Sequence, residues 1–237
     1  MKNKNVRYVA KGSENFLYKR MVDEKADGYV KKGTFSNEIV WGNNSYIIPC
    51  MSKRKNISFK KGMFLFGMVR KDVKNFLKDN PKIKLPAKHS QIEYSQNFNE
   101  ELLGKITATD LNHAYWRIAY NLGVIREATY NKGLPDMFKQ VRLAALSTLG
   151  ASKKYQKIKG GEPTNEYLVI KGDEELQKVY VYIRYTCYRY MDKVKKMLGN
   201  DFVCYKTDCM YYLDSSENRK MVRNFFEKEN LLIKQLV

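Results

Sequence analysis

Two aspartates, each at or near the end of a short apolar, β-prone run, constrain this chain more than any other feature. One is Asp110 in Thr109-Asp110-Leu111-Asn112-His113-Ala114-Tyr115; the other is Asp208 in Tyr205-Lys206-Thr207-Asp208-Cys209. Two strands that carry acids at neighbouring ends can hold a divalent cation between them, because hard cations take carboxylate oxygens. Between the two lies Arg142-Leu143-Ala144-Ala145-Leu146-Ser147-Thr148-Leu149-Gly150, which reads as a helix with a basic residue ahead of a serine and a glycine.

The rest of the composition narrows the partners. The 237 residues include 44 Lys+Arg against 25 Asp+Glu, a net charge of +19, and the sequence pI is near 9.6. Residues 1 to 100 and 101 to 237 are both basic, which predicts a polyanion-binding body more than a neutral domain with a basic tail. Lys53, Arg54, Lys55, Lys60 and Lys61 form the densest positive patches. Cys50, Cys187, Cys204 and Cys209 include no CxxC pair, and His89 and His113 are the only histidines, so a structural zinc site is not expected. The sequence shows neither a signal peptide nor an apolar run long enough for a membrane span. A soluble protein of a reducing cytoplasm is expected, with no membrane partner.

Local patterns predict the following elements. Gly104 to Leu111 is a strand, a helix starts near Trp116, and Asn131 to Pro135 breaks it. The next helix starts at Pro135, and Gly160-Gly161-Glu162-Pro163 ends that region. Asp173 caps a long helix through Leu198, stopped by Gly199-Asn200. Phe202 to Leu213 is a tight hairpin with Thr207 and Asp208 near its turn. Ser215 or Ser216 caps a helix to about Glu229, and Leu231 to Val237 is a last strand. In the first hundred residues, Val6 to Ala10, Ile39 to Trp41, Tyr46 to Ile48 and Met63 to Val69 read as short strands. Asp72 to Lys78 reads as a short helix before a Pro81-to-Pro86 linker. Tyrosines interleave with arginines from Tyr180 to Tyr190, a pattern that serves either base stacking or a core face.

Taken in order, the three segments resemble motifs A, B and C of the family B DNA polymerases, over about residues 104 to 237. Asp110 stands at the motif A aspartate, and Tyr115 matches the tyrosine that excludes a 2′-hydroxyl; Trp116 replaces the usual proline. In motif B, Arg142, Ser147 and Gly150 match the pattern Lys-x-x-x-Asn-Ser-x-Tyr-Gly, while Leu146 and Leu149 replace the Asn and the Tyr. In motif C, Lys206-Thr207-Asp208 keeps the second aspartate of Asp-Thr-Asp and puts a cation at the first. A lysine there is expected to hold Asp208 ionised, because an opposite charge lowers a carboxylate pKa.

The resemblance implies an α+β fold: a ferredoxin-like polymerase palm, an antiparallel sheet with helices on one face, at 101–237; the charge of residues 1–100 adds the expectation of a small basic N-terminal domain there that grips nucleic acid or a partner. It implies Asp110 and Asp208 as catalytic ligands of Mg²⁺ or Mn²⁺. Leu111, Tyr115, Arg142, Ser147 and Gly150 would contact a deoxynucleoside triphosphate, with Arg142 on the phosphates. Only a one-helix remnant of the fingers fits between Asp110 and Arg142; a proofreading exonuclease and a thumb are not expected. The expected activity is addition of deoxynucleotides to a 3′-hydroxyl on DNA, in a compact enzyme suited to a virus or mobile element. The alternative is a catalytically silent palm kept as a DNA-binding or replication scaffold, with other replication proteins as partners.

Overall fold

A computed structural model of the protein describes residues 5–33, 36–50, 61–84 and 100–236. It is a mixed α+β chain that divides into two compact units, Met1–Met63 with Gly150–Glu174, and Phe64–Leu149 with Glu175–Val237. These units differ from a division at residue 100 in two places. The segment from Phe64 onward belongs to the second unit, and Gly150–Glu174 returns to the first.

The first unit contains β1 (Asn5–Tyr8), α1 (Ser13–Asp23), β2 (Gly28–Lys31), β3 (Ser36–Trp41) and β4 (Asn44–Pro49). Of these, α1 and β2 are not apparent from the sequence pattern. The unit also contains two of the later strands, numbered below by chain order as β6 (Lys153–Lys159) and β7 (Glu162–Ile170). The sheet runs β1-β4-β3-β2-β6-β7, antiparallel except for the β1/β4 pair. Leu17 and Met21 of α1 bury against Val30, Ile39, Ile48 and Ile158. Gly28 permits this approach: a Cβ there would lie 2.4 Å from the Val40 carbonyl oxygen and 2.8 Å from Met21 Cε. Gly160 and Gly161, both at positive φ, form the two-residue turn between β6 and β7, a conformation glycine adopts without strain. The Gly-Gly pair expected to end the preceding region is therefore the turn of a hairpin.

In the second unit, α2 (Phe64–Asp79) is one continuous helix, which corrects the strand expected over Met63 to Val69. Leu65, Val69, Asp72 and Val73 are its buried residues, a 3.6-residue stripe that favours helix over a period of two. The sheet of this unit is built from β5 (Ile106–Asn112), β8 (Phe202–Lys206), β9 (Cys209–Leu213) and β10 (Leu232–Leu236), ordered β10-β5-β9-β8. Every pair in it is antiparallel. The helices are α3 (Ala114–Asn121), α4 (Glu127–Gly133), α5 (Lys139–Ser147), α6 (Glu174–Leu198) and α7 (Ser216–Lys228). Ser215 caps α7, its hydroxyl accepting from Asn218 N at 3.0 Å. No helix among the described residues is long and apolar enough to cross a membrane.

Strand alternation gives this sheet two unlike faces. Thr107, Thr109, Leu111, Tyr205, Met210 and Tyr212 are buried on one. Helix α6 lies on that side, where Tyr188 stacks on Tyr205 at 6.3 Å and the Tyr205 hydroxyl donates to Asp192 Oδ1 at 3.2 Å. Buried hydroxyls there are satisfied within the sheet: Thr109 Oγ1 and Tyr212 Oη lie 2.8 Å apart, and Gln235 Nε2 donates to Thr107 Oγ1 at 2.7 Å. The opposite face carries Asp110.

Candidate active site

Asp110 sits on β5 with Cys209 of β9 and Lys234 of β10 as its cross-strand partners. Asp208 is the second residue of the Thr207-Asp208 turn joining β8 to β9, and Thr207 adopts φ 61 to make it. Leu111 N donates to the Asp208 carbonyl at 2.9 Å, so the turn is pinned to the end of β5. This brings the two aspartates together at one edge of a cleft of about 350 Å³. Beneath the turn, the buried Cys187 thiol donates to the Thr207 carbonyl at 3.7 Å. Cys187 follows Leu176, Val179 and Ile183 on the inner stripe of α6, and nothing in the sequence marks it as more than core.

The pair is electrostatically loaded. Burial first, then the charge of Asp110, pushes the Asp208 carboxyl up to about 6. Burial also raises Asp110, against the pull of Lys139 and Lys234. Two desolvated carboxylates beside each other resist ionising together, and a cation between them removes that resistance. Lys206 does not supply it. The side chain is exposed, Asp208 is raised and not lowered, and the cation that acts on it is Lys139. The expected role of Lys206 in keeping Asp208 ionised is thus overturned by its orientation toward solvent.

Around the pair, the cleft is lined by Leu111, His113, Tyr115, Lys139, Arg142, Leu146, Ser147 and Tyr180, among others. Tyr115 meets Tyr180 edge-on at 6.4 Å. Burial, together with a hydrogen bond donated to Tyr188, holds its hydroxyl protonated. Of the interleaved tyrosines, Tyr188 is core, and Tyr180 reaches the cleft. Trp116, which takes the place of the family's proline, is 2% exposed and donates Nε1 to the Tyr130 carbonyl at 3.1 Å. A Cβ at Gly133 would collide with its ring at 2.3 Å, so this tryptophan fastens α3 to α4.

Arg142 is placed differently from expectation. It is 3% exposed, and its Nη1 donates to the carbonyls of Gly133, Leu134 (2.9 Å) and Pro135 (3.1 Å). Nη2 lies 2.9 Å from His113 Nδ1. Since a guanidinium only donates, Nδ1 must accept, and the ring proton resides on Nε2. Burial and the nearby Arg142 charge both lower the His113 pKa, which keeps the ring neutral. Ser147 is exposed at the cleft, and Gly150 takes φ 63 just beyond α5. Lys61 is exposed; Lys53, Arg54, Lys55 and Lys60 lie outside the described residues.

The donor set suits a hard divalent cation. Two carboxylates are present, and no cluster of three or more His, Cys, Asp or Glu that could hold a metal occurs among the described residues. Mg²⁺ retains waters and is bound by one or two carboxylates plus substrate phosphates, so a pair beside an open cleft fits it. The sequence singles out both aspartates, and Tyr180 only as one of several tyrosines suited to base stacking or to a core face; it gives no role to His113 and no sign of Lys139, whose position depends on how α5 meets β5. No protein-family model, curated protein or solved structure matches the chain.

Proposed function

We propose that the second unit is a reduced, ferredoxin-like polymerase palm that transfers deoxynucleotides to a 3′-hydroxyl on DNA. The observation that carries this reading is the Asp110–Asp208 pair, one on strand β5 and the other in the turn between β8 and β9, both lining a cleft of nucleotide size. The strand order β10-β5-β9-β8 supports it. Relabelled by position among these four strands it is 4-1-3-2, with helices between the first and second and between the third and fourth, the arrangement of a split β-α-β sheet.

Divalent ions bound to such a pair supply activation of the attacking hydroxyl and stabilisation of the leaving phosphate oxygens. The residues of the chain supply position and charge, which is most of what phosphoryl transfer requires. Asp110 and Asp208 would hold the ions, and Tyr115 would close the cleft against a 2′-hydroxyl. The net charge of +19 favours a DNA partner.

A second reading, a silent palm retained as a DNA-binding or replication scaffold, is favoured by Lys206, an exposed cation on the face that carries Asp110. Primer extension with Mg²⁺ and then Mn²⁺ separates the two. The enzyme reading expects incorporation by the wild type and none by Asp110→Asn or Asp208→Asn. Wild-type inactivity with activity gained by Lys206→Asp identifies a silenced polymerase palm, and equal activity of wild type and Asp110→Asn places the chemistry elsewhere.

A further inference from the structure

Resting on the nucleotidyl-transfer reading, we infer that Lys139 takes the phosphates of the nucleoside triphosphate in this cleft, and that Arg142 is a positioning residue for His113. The motif pattern assigns the phosphates to Arg142; the side-chain geometry does not.

Lys139 is the first residue of α5, is exposed, and lines the cleft with both aspartates. It makes no hydrogen bond or ion pair among the described residues, yet its charge acts on Asp110 and on Asp208. A free ammonium facing a carboxylate pair is suited to an anion bridged to that pair by metal. Its three donors suit phosphate oxygens, and no bond within the protein has to break to use them.

Arg142, one turn later, is in the opposite situation. Its guanidinium is buried against three carbonyls and His113 Nδ1. Moving it onto a phosphate would strip buried acceptors of their donor, which is the expensive half of a hydrogen-bond exchange. Fixed where it is, it orients the imidazole and leaves Nε2–H as the donor that His113 can offer the cleft.

The inference is tested by calorimetric titration of dATP with Ca²⁺ and no primer, so that binding is read without turnover. Lys139→Ala should weaken dATP binding by roughly tenfold, the scale of one charge-assisted hydrogen bond, with a smaller effect on dAMP. Lys139→Arg should recover most of the loss. Because Lys139 is exposed, thermal melting of Lys139→Ala should match the wild type. For Arg142, the ¹⁵N shifts of the His113 ring report the Nε2–H tautomer in wild type, and Arg142→Gln should shift them toward a mixture of tautomers. Equal dATP affinity in wild type and Lys139→Ala overturns the assignment. So does an equal loss of affinity for a single-stranded oligonucleotide, which would place Lys139 on the nucleic-acid backbone. Wild-type protein that binds no dATP at all overturns the nucleotidyl-transfer reading and this inference with it.

Discussion

Replacing Asp208 with Asn should make the protein more stable at pH 8 while removing half of the proposed metal site. The Asp208 carboxyl is moved from 3.8 to about 6, chiefly by burial and then by Asp110. In the window between these values the folded state holds a proton that the unfolded state has released, so stability falls as pH rises from about 4 to about 6 and stays reduced above it. At about 1.4 kcal/mol per tenfold in the proton equilibrium, the full effect is about 3 kcal/mol, as an upper limit. An amide keeps the shape, carries no charge and relieves Asp110 of its neighbour. The assay is urea unfolding in EDTA at pH 4 and pH 8, followed by Trp116 in a Trp41→Phe background, since these two tryptophans lie in different compact units. Asp208→Asn should exceed the parent at pH 8 by about 1 to 3 kcal/mol and differ from it less at pH 4. A variant no more stable at pH 8, or a parent whose stability does not fall between pH 4 and 6, would show that Asp208 carries no such burden in the folded state.

Asp72, 7% exposed, accepts from Arg126 N at 3.0 Å and from Thr129 Oγ1, so it serves the start of α4 from α2. Asp72→Ala should lower stability by about 1 to 3 kcal/mol in the same urea assay, because it leaves buried donors unpaired. Tyr115→Ala should retain some incorporation and admit ribonucleotides, checked by single-nucleotide extension with CTP against dCTP. Replacing Lys53, Arg54, Lys55, Lys60 and Lys61 with Ala should flatten the slope of log DNA affinity against log salt, since each lost phosphate contact releases fewer counterions.

Much of the second unit is legible in the sequence because its elements carry their own boundaries. Asp173 and Gly199-Asn200 bracket the helix found at Glu174–Leu198, and Ser215 caps the helix that follows it. The first unit is harder to read for physical reasons. Strand β6 buries Tyr155 and Ile158 among Lys153, Lys154, Lys157 and Lys159, and a register shift between Gln156 and Ile158 interrupts its alternation. Helix α1 buries only Leu17 and Met21, too narrow a stripe to stand out. Over Met63 to Val69, a dense apolar run without a clear period reads equally as strand or helix until Asp72 and Val73 extend the stripe. At the site, motif order was enough to single out Asp110 and Asp208. The commitment of Arg142 was not legible, because its partners are the carbonyls of a loop whose path depends on Trp116 packing over Gly133. Nor was Lys139, an exposed lysine like many others until α5 is set against the two aspartates.

Whether Asp110 and Asp208 together hold divalent cations in the cleft is read out by Mn²⁺ titration followed by electron paramagnetic resonance, with and without dATP. Wild-type protein should bind Mn²⁺, more tightly with dATP, and both Asp110→Asn and Asp208→Asn should lose that binding. Wild-type protein that leaves Mn²⁺ free with dATP present, or single variants that bind it as the wild type does, would contradict joint binding by the two aspartates.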